Sequence, residues 1–398
     1  MLIINGKLHT MCGDVVNNGY LWIKDGKIAE VGDMSRLEEK NGKISGEGRE
    51  QVLDVRGAFV MPGIIEAHCH IGIVEEKRGI IGDDCNECTE PVTPGLRAID
   101  AVNPMDPAFH DAIKAGITGV MTGPGSSNPV GGQFVFMKTQ GRCIDKMAVL
   151  EPAAMKTAFG ENPKTAYGDQ NVCPSTRMGT AFLIRQELER ARKYTLEQED
   201  SQEQERDLKM EAWGPVIRKE IPMKTHVHRA DDIMTAIRIA KEFDVELTLD
   251  HCTEGHLIAE EIAESGFPAI VGPDLTARSK IEVQNLSFKT AGVLHRAGVL
   301  TAITTDHPVS LINYLPLCAG LAVKEGLPME EGLKAITINA ARICRVDGRL
   351  GSLEEGKDAD IAIFNGNPME TFTRTLYTII DGEIVYDGEE TGRDEDVI

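Results

Sequence analysis

The chain has 398 residues, of which 41% are hydrophobic and 26% charged, a composition typical of globular proteins with a sizeable core. Its formal net charge of −21 would repel nucleic acids and anionic membranes, so we expect neither as a partner. No stretch approaches the ~20 apolar residues that span a bilayer, and the N-terminus lacks the pattern of a secretory signal. We therefore expect a soluble, cytoplasmic protein.

The first 57 residues alternate short β-like runs with turn signals such as Asn5-Gly6 and Asp25-Gly26, which suit tight hairpins. In the middle of the chain, short apolar strands alternate with amphipathic stretches, and this pattern predicts βα units and a parallel sheet. Short β-like runs with turn signals occur again toward the C-terminus, where Asp381-Gly382 suits a further hairpin turn. We predict three segments, 1–57, 58–348 and 349–398.

Three stretches of the middle segment depart from this alternation of strands and amphipathic helices. The glycine-rich stretch 123–132 lacks the order of a phosphate-binding loop, and we interpret it either as a substrate-side loop or as a simple turn. Residues 178–213 form a long, strongly charged helical stretch, which predicts a solvated excursion or, alternatively, a lid over the site. Cys85 and Cys88 form an isolated C-x-x-C pair, which we interpret as a loop without structural metal.

Two histidines close the first apolar run of the middle segment, VMPGII, within Glu66-Ala-His68-Cys69-His70. Residues two apart in a strand point to the same side, so the side chains of His68 and His70 can converge on one ion. Imidazole is a ligand for zinc, iron, manganese or nickel, but two ligands alone do not make a site.

Further polar residues follow later strands. His226 and His228 close PMKTHVH, His251 closes VELTLDH, and Asp306 follows the apolar run VLTAITT. His228 and His251 are one strand, helix and strand apart, which places them at equivalent depths on neighbouring strands. A carboxylate after an apolar strand is costly unless it meets a metal or a proton, so Asp306 joins the candidate ligands.

This set resembles the amidohydrolase superfamily, in which H-x-H follows the first barrel strand, single histidines follow the fifth and sixth, and an aspartate follows the eighth. The matching residues, in order, are His68, His70, His228, His251 and Asp306. The resemblance covers essentially the whole chain and is greatest to the imidazolonepropionase-related group. It implies an α/β fold: a (β/α)₈ TIM-type barrel with a small β-sandwich domain formed by the N- and C-terminal segments.

The resemblance also implies a small-molecule substrate, a homo-oligomer and one or two divalent metal ions, with zinc expected first and iron, manganese or nickel as alternatives. Asp306 would then be the general acid and base, and His251 would bind metal or polarise the substrate oxygen. His226 packs behind the site or contacts substrate, and direct ligation of the metal is a further alternative. Lys156, carbamylated, is a tentative bridging ligand; Glu151 and Glu161 are alternatives, and an ordinary salt-bridged lysine is another interpretation.

Arg229, Arg278 and Lys280 are candidates for holding a substrate carboxylate, although solvated surface charge is the more common fate of any one of them. Carboxylate recognition would suit an imidazolone-propionate-like, N-acyl amino acid or dipeptide substrate. In imidazolonepropionases the fifth strand ends in H-A-D-E, whereas His228 is followed here by Arg-Ala-Asp-Asp, which departs from that activity. The sequence therefore predicts a hydrolase of amide or cyclic amide C–N bonds. A deaminase of a ring amine and a non-catalytic scaffold of the same fold are the alternatives.

Overall fold

The computed structural model describes residues 1–39, 51–76, 79–200 and 205–388. The strands in these ranges are β1 Leu2–Leu8, β2 Val16–Lys24, β3 Lys27–Asp33, β4 Val52–Asp54, β5 Phe59–Pro62, β6 Ile64–Cys69, β7 Ile117–Thr122, β8 Val130–Lys138, β9 Ala148–Ala158, β10 Met223–Val227, β11 Leu247–His251, β12 Ala269–Val271, β13 Thr301–Ile303, β14 Ile361–Phe364, β15 Thr375–Ile380 and β16 Glu383–Asp387. They form two eight-stranded sheets.

The helices connect and cover the strands. They are α1 Met34–Glu39, α2 Pro107–Lys114, α3 Ile144–Met147, α4 Glu161–Gly168, α5 Arg177–Asp200, α6 Leu208–Ile217, α7 Ala230–Phe243, α8 Ala259–Ser265, α9 Lys289–Arg296, α10 Leu315–Lys324, α11 Met329–Ala335 and α12 Ile338–Ile343. Within the described ranges, none of them combines the length and the apolar composition that crossing a bilayer requires.

One sheet joins the two ends of the chain. Its strand order is β16-β15-β14-β5-β1-β2-β3, with β4 paired to β1. The central antiparallel pairing aligns β14 with β5, with Ile361 opposite Pro62 and Phe364 opposite Phe59. The N- and C-terminal segments thus share one hydrogen-bonded sheet. Its packing as a two-layered sandwich, and the segment bounds 1–57, 58–348 and 349–398, remain predictions.

The second sheet is the barrel, and its strands β6 to β13 follow one another in space as they do along the chain. The first and last strands meet at their carboxyl ends, where the Thr304 hydroxyl donates to the His68 carbonyl at 2.6 Å. Beside this contact the His70 N–H donates to the His307 carbonyl at 2.8 Å. The predicted α/β barrel is confirmed in this form, a nearly closed sheet of eight strands.

The third barrel strand, β8, differs from the prediction because it runs antiparallel to both β7 and β9. The expectation of eight parallel strands is therefore wrong at this position. Only seven residues separate β7 from β8, and a parallel crossover needs a dozen or more. The glycine-rich stretch 123–132 accordingly turns the chain straight back into a hairpin.

The chain crosses from the terminal sheet to the barrel at one residue, Gly63, between β5 and β6. A Cβ atom at this position would lie 2.0 Å from the Thr118 hydroxyl oxygen, so no larger residue fits. The Gly63 N–H donates to the Asp360 carbonyl at 2.8 Å. This close crossing places the start of β6 directly beside β7, with Ile64 opposite Ile117.

Helix α5 packs on the barrel rather than extending into solvent. Its buried apolar residues recur every three or four positions and belong to the main core; they are Ala181, Ile184, Leu188, Ala191 and Tyr194. The outer face carries the charges, for example in the Arg192–Glu189 pair at 2.6 Å. The solvated excursion predicted for 178–213 is therefore corrected, apart from 201–204, which lie outside the described residues. The stretch supplies the helices between β9 and β10.

Candidate metal centre

Six polar side chains meet at the carboxyl ends of the barrel strands, and all six are buried. They are His68, His70, His226, His228, His251 and Asp306. In the parallel pairing of β10 with β11, His226 lies opposite Asp250 and Val227 opposite His251. This register brings the polar ends of separate strands to one level, where active sites of βα barrels form.

Asp306 links the histidines of β6 to that of β11. Its Oδ1 lies 3.3 Å from His68 Nε2 and 3.2 Å from His70 Nε2. Its Oδ2 lies 3.9 Å from His251 Nδ1. Potential ligand atoms of His68, His251 and Asp306 all lie within 4.8 Å of one another, close enough to share one ion.

A second group consists of His226, His228 and His251, whose potential ligand atoms also lie within 4.8 Å of one another. The ring of His251 is 4.5 Å from that of His226 and 4.8 Å from that of His228, measured between centroids. His251 therefore belongs to both groups, and the two form one continuous cluster. His226, for which the sequence left packing, substrate contact or metal ligation open, faces this cluster.

Four of the histidines are held through a ring nitrogen. The contacts are His70 Nδ1 to the Gly123 carbonyl at 2.7 Å, His251 Nδ1 to the Gly272 carbonyl at 2.8 Å, His228 Nδ1 to the Thr253 hydroxyl at 2.7 Å, and His68 Nδ1 to Asp250 Oδ2 at 3.0 Å. Because a carbonyl only accepts, Nδ1 carries the proton in His70 and His251. In the neutral form of these two residues, that tautomer leaves the lone pair of Nε2 available to a ligand.

The charge states of four of the histidines and of Asp306 suit metal binding. His70 differs, because burial lowers its pKa but Cys85 and Asp306 together raise it to about 10. Burial lowers the pKa of His68, holds those of His226 and His251 well below the ordinary value, and brings that of His228 to about 4. Burial alone would raise the pKa of Asp306, but His251, His68 and His70 hold it well below its usual range. Neutral imidazoles beside an ionised carboxylate are the forms in which these groups ligate metals.

Several atoms of the cluster lack a hydrogen-bond partner within the described part of the chain. They are Nε2 of His68, Nε2 of His226 and Oδ1 of Asp306. Leaving a buried polar group unpaired costs ~1–3 kcal/mol, so a cluster of such atoms is expensive unless something binds it. A divalent cation fits this donor set of imidazoles and carboxylate. The assignment of each residue as a ligand remains a prediction.

Glu66 is a buried carboxylate that connects two segments of the centre through hydrogen bonds. Its carboxylate accepts hydrogen bonds from the His68 N–H at 3.2 Å and from the Thr305 N–H and hydroxyl at 2.9 and 2.6 Å. Burial raises its pKa to about 7, against the lowering effect of these hydrogen bonds. Glu66 thereby ties β6 to the segment that carries Asp306.

Two buried lysines lie on neighbouring barrel strands, close to the ring of Phe134. Lys156 on β9 is in register with Lys224 on β10, and their ammonium groups lie 5.7 and 5.6 Å from the centre of the Phe134 ring. Lys224 pairs with Asp250 at 3.3 Å. Burial lowers the pKa of Lys156 to about 8, although Asp250 and Asp306 oppose the shift. The bridging role of a carbamylated Lys156 remains a prediction that this placement permits.

Glu282 is a residue of the centre that the sequence did not indicate. It lies in the short 3₁₀ turn Ile281–Val283 after β12 and is 1% exposed. Its Oε1 lies 3.6 Å from His226 Nε2 and 3.8 Å from His228 Nε2. A single glutamate between isoleucine and valine in a loop carries no local signal, because its place depends on how the loop folds over the barrel.

The other candidates lie away from the histidines or are engaged elsewhere. Glu151 pairs with Arg97 at 2.6 Å, and the Glu161 N–H donates to Glu282. Arg229 pairs through two nitrogens with Asp231 at 2.9 and 3.0 Å, and the exposed Arg278 donates to the Leu286 carbonyl at 3.3 Å. The structure thus does not bring either arginine into the cluster, and their substrate contacts stay predictions.

The family follows from comparison with known proteins. A solved amidohydrolase from Thermotoga maritima MSB8 is 39% identical and superimposes with a TM-score of 0.91, over 97% of this chain and 99% of that one. The chain belongs to the amidohydrolase superfamily. The model of the amidohydrolase family also matches residues 217–386 of this amidohydrolase.

Two curated relatives show its position in the superfamily. The imidazolonepropionase of Maricaulis maris is 25% identical over 92% of each chain, and this amidohydrolase is related to that group. The amidohydrolase tasK of Hapsidospora irregularis is 26% identical over 93% of this chain. The chain spans only 40% of the length of tasK. These relatives indicate a hydrolase.

Proposed function

We propose that this amidohydrolase is a metal-dependent hydrolase that cleaves an amide or cyclic amide C–N bond with an activated water. The observation that carries the proposal is the convergence of buried histidines on Asp306 at the carboxyl end of the barrel, where potential ligand atoms of His68, His251 and Asp306 lie within 4.8 Å of one another. The unpaired buried atoms of His68, His226 and Asp306 support a cation as the missing partner. When bound there, a divalent cation, zinc first, supplies Lewis acidity toward the carbonyl and makes water easier to deprotonate.

Asp306 has the position of the group that moves the proton. It is ionised, and its side chain is 12% exposed, whereas those of His68 and His251 are 0% and 3% exposed. It therefore faces the opening of the site more than they do. Asp306 accepts a proton as water attacks the carbonyl carbon. It then returns that proton to the nitrogen as the C–N bond breaks, giving a carboxylic acid and an amine.

The substrates we propose are imidazolone-propionate-like compounds, N-acyl amino acids and dipeptides. The kinship to imidazolonepropionases supports this choice. The fifth strand departs from their H-A-D-E pattern, so we favour the amide-containing compounds over imidazolone propionate itself. A ring-amine deaminase uses the same kind of centre and remains the alternative, because the loops that line the pocket, and not the metal centre, decide between the two reactions.

The deciding experiment combines metal analysis of the purified full chain with a substrate screen. We expect one or two transition-metal ions per chain, loss of turnover with a chelator, and recovery with Zn²⁺. Release of a carboxylic acid and an amine from a dipeptide or N-acyl amino acid supports the amide hydrolase. Release of ammonia from ring amines alone supports the deaminase. Absence of metal after Zn²⁺ supplementation contradicts both activities and favours a non-catalytic scaffold.

A further inference from the structure

Glu282 is a buried carboxylate of the centre that the proposed reaction leaves without a role. Its Oε2 accepts a hydrogen bond from the Glu161 N–H at 2.7 Å, at the start of α4. This contact fixes the carboxylate so that Oε1 faces the imidazoles of His226 and His228, at 3.6 and 3.8 Å. The orientation is therefore set by the backbone of another element.

These separations are close to those between ligands of one ion. Zinc–ligand bonds of about 2.0–2.2 Å at tetrahedral angles place neighbouring ligand atoms about 3.3–3.6 Å apart. The distances from Glu282 Oε1 to His226 Nε2 and His228 Nε2, 3.6 and 3.8 Å, lie at this range or within a few tenths of an ångström of it. His226 Nε2 has no hydrogen-bond partner within the described residues, so it is available as a ligand.

We propose that Glu282 is a metal ligand and completes an ion position with His226 and His228. This position lies beside the one offered by the β6 histidines and Asp306. The inference rests on the proposed metal dependence of the enzyme. It adds a negatively charged ligand to a pair of neutral imidazoles, which strengthens their hold on a divalent cation.

Lys280 would compete with such an ion for the carboxylate of Glu282. Its ammonium lies 2.6 Å from the same Oε1 of Glu282 and 2.7 Å from the Asn162 side-chain oxygen. The Lys280 side chain is 26% exposed, so it can leave Glu282 for solvent while it keeps Asn162. Lys280 thus neutralises Glu282 when no ion is bound. Removing the lysine should tighten ion binding at this position.

The test is titration of the metal-free full chain with Co²⁺ and Zn²⁺, which reports ions per chain and the affinity of each. Visible absorption of Co²⁺ reports the change in its ligands. We expect two ions in the parent chain. Glu282→Gln keeps an acceptor for the Glu161 N–H, and it should weaken one ion by more than about 100-fold while the other is unchanged. Lys280→Met should tighten the same ion by about tenfold.

The outcomes separate this inference from the proposed function. If Glu282→Gln binds both ions with parental affinity, or if the parent chain binds a single ion that the substitution does not affect, the inference is overturned and metal dependence stands. If both variants weaken the ion equally, Glu282 and Lys280 form only a structural ion pair. If the parent chain binds no metal, the proposed function falls as well. Should Glu282→Gln fail to fold, Lys280→Met decides: tighter binding supports the inference, and equal or weaker binding overturns it.

Discussion

At the scale of single residues, Asp306 combines contacts to both β6 histidines with a backbone in the left-handed region, at φ 53°. Its N–H donates to the Thr304 hydroxyl at 2.9 Å, and this hydroxyl in turn donates to the His68 carbonyl. The side chain is thereby aimed across the junction of the first and last barrel strands. The proposed proton transfer depends on this orientation of the Asp306 side chain as much as on its negative charge.

Asp306→Asn should lower kcat by about 10³-fold, because an amide cannot accept the proton and general acid–base catalysis contributes about 10²–10⁴. Steady-state rates on the best substrate of the screen measure the effect, alongside metal content. Asp244→Asn, which alters an aspartate that is 87% exposed and pairs with Lys219 outside the cluster, is the matched control and should keep nearly full turnover. Parental kcat in Asp306→Asn would exclude it as the proton acceptor.

Lys156 and Lys224 provide a matched pair of buried lysines over one aromatic ring. Lys156→Met should abolish any dependence of metal binding on dissolved bicarbonate, because carbamylation requires a neutral amine and burial lowers the pKa of Lys156 to about 8. Lys224→Met removes the partner of Asp250 and should lower stability while keeping the bicarbonate dependence. Metal titration with and without bicarbonate measures both. A parent chain indifferent to bicarbonate would leave Lys156 an ordinary lysine.

The sequence predicts the part of the site that local pattern controls. His68, His228, His251 and Asp306 end apolar strands, and parallel strands bring their carboxyl ends to one edge of a barrel. The positions of Glu282 and of the Gly123 carbonyl depend on loops that fold back over that edge. No spacing in the chain encodes these contacts, so they could be found only in three dimensions.

At the scale of elements, α5 shows that a strongly charged helix can still have an apolar face that packs on the core. Its charged residues made it look solvated, although Ala181, Ile184 and Leu188 already follow the three-and-four spacing of a buried face. The direction of strand β8 differs from the predicted parallel arrangement for a related reason. Its residues suit any buried strand, and its direction is decided by the short connection from β7 rather than by its own composition.

Leu188→Ala should lower the free energy of unfolding by about 2–4 kcal/mol, because it opens a cavity where α5 meets the barrel core. Leu196→Ala, on the same helix but 57% exposed, is the control and should change it by less than about 0.5 kcal/mol. Urea unfolding followed by circular dichroism measures both. Equal small effects would mean that α5 does not pack as described.

At the scale of the whole molecule, a cluster of charges fastens the barrel to the terminal sheet. Lys138 at the end of β8 contacts Asp358 at 3.0 Å and Asp360 at 2.9 Å, both just before β14. Asp358 also contacts Lys27 and Arg349. These bonds connect segments that are far apart in the chain, so they contribute to how the two sheets are held together.

Asp358→Asn should lower the free energy of unfolding by about 3 kcal/mol at pH 7, because it leaves the buried Lys138 short of a partner. Burial would raise the pKa of Asp358, but Lys27, Arg349 and Lys138 lower it to about 2. Its contribution is therefore complete above its ordinary pKa of ~4 and is lost as pH falls through about 2. Urea unfolding between pH 2 and 7 should show parent and variant converging at the acid end.

Asp360→Asn is the control for this cluster. Burial raises the pKa of Asp360 to about 6 despite Lys138, so its ionised form is less favourable in the folded chain. An asparagine removes that penalty and keeps an acceptor for the Asp381 N–H. The loss should be smaller than for Asp358→Asn. A larger loss would contradict the assignment of Asp358 as the main partner.

The crossing at Gly63 has a consequence for synthesis on the ribosome. Strand β5 is complete at Pro62, but its antiparallel neighbour β14 begins only at Ile361, roughly 300 residues later. At about 5–20 residues per second, that edge waits about 15–60 s for its partner. An unpaired strand edge invites pairing with other nascent chains, so this edge of β5 is open to aggregation until β14 has been made.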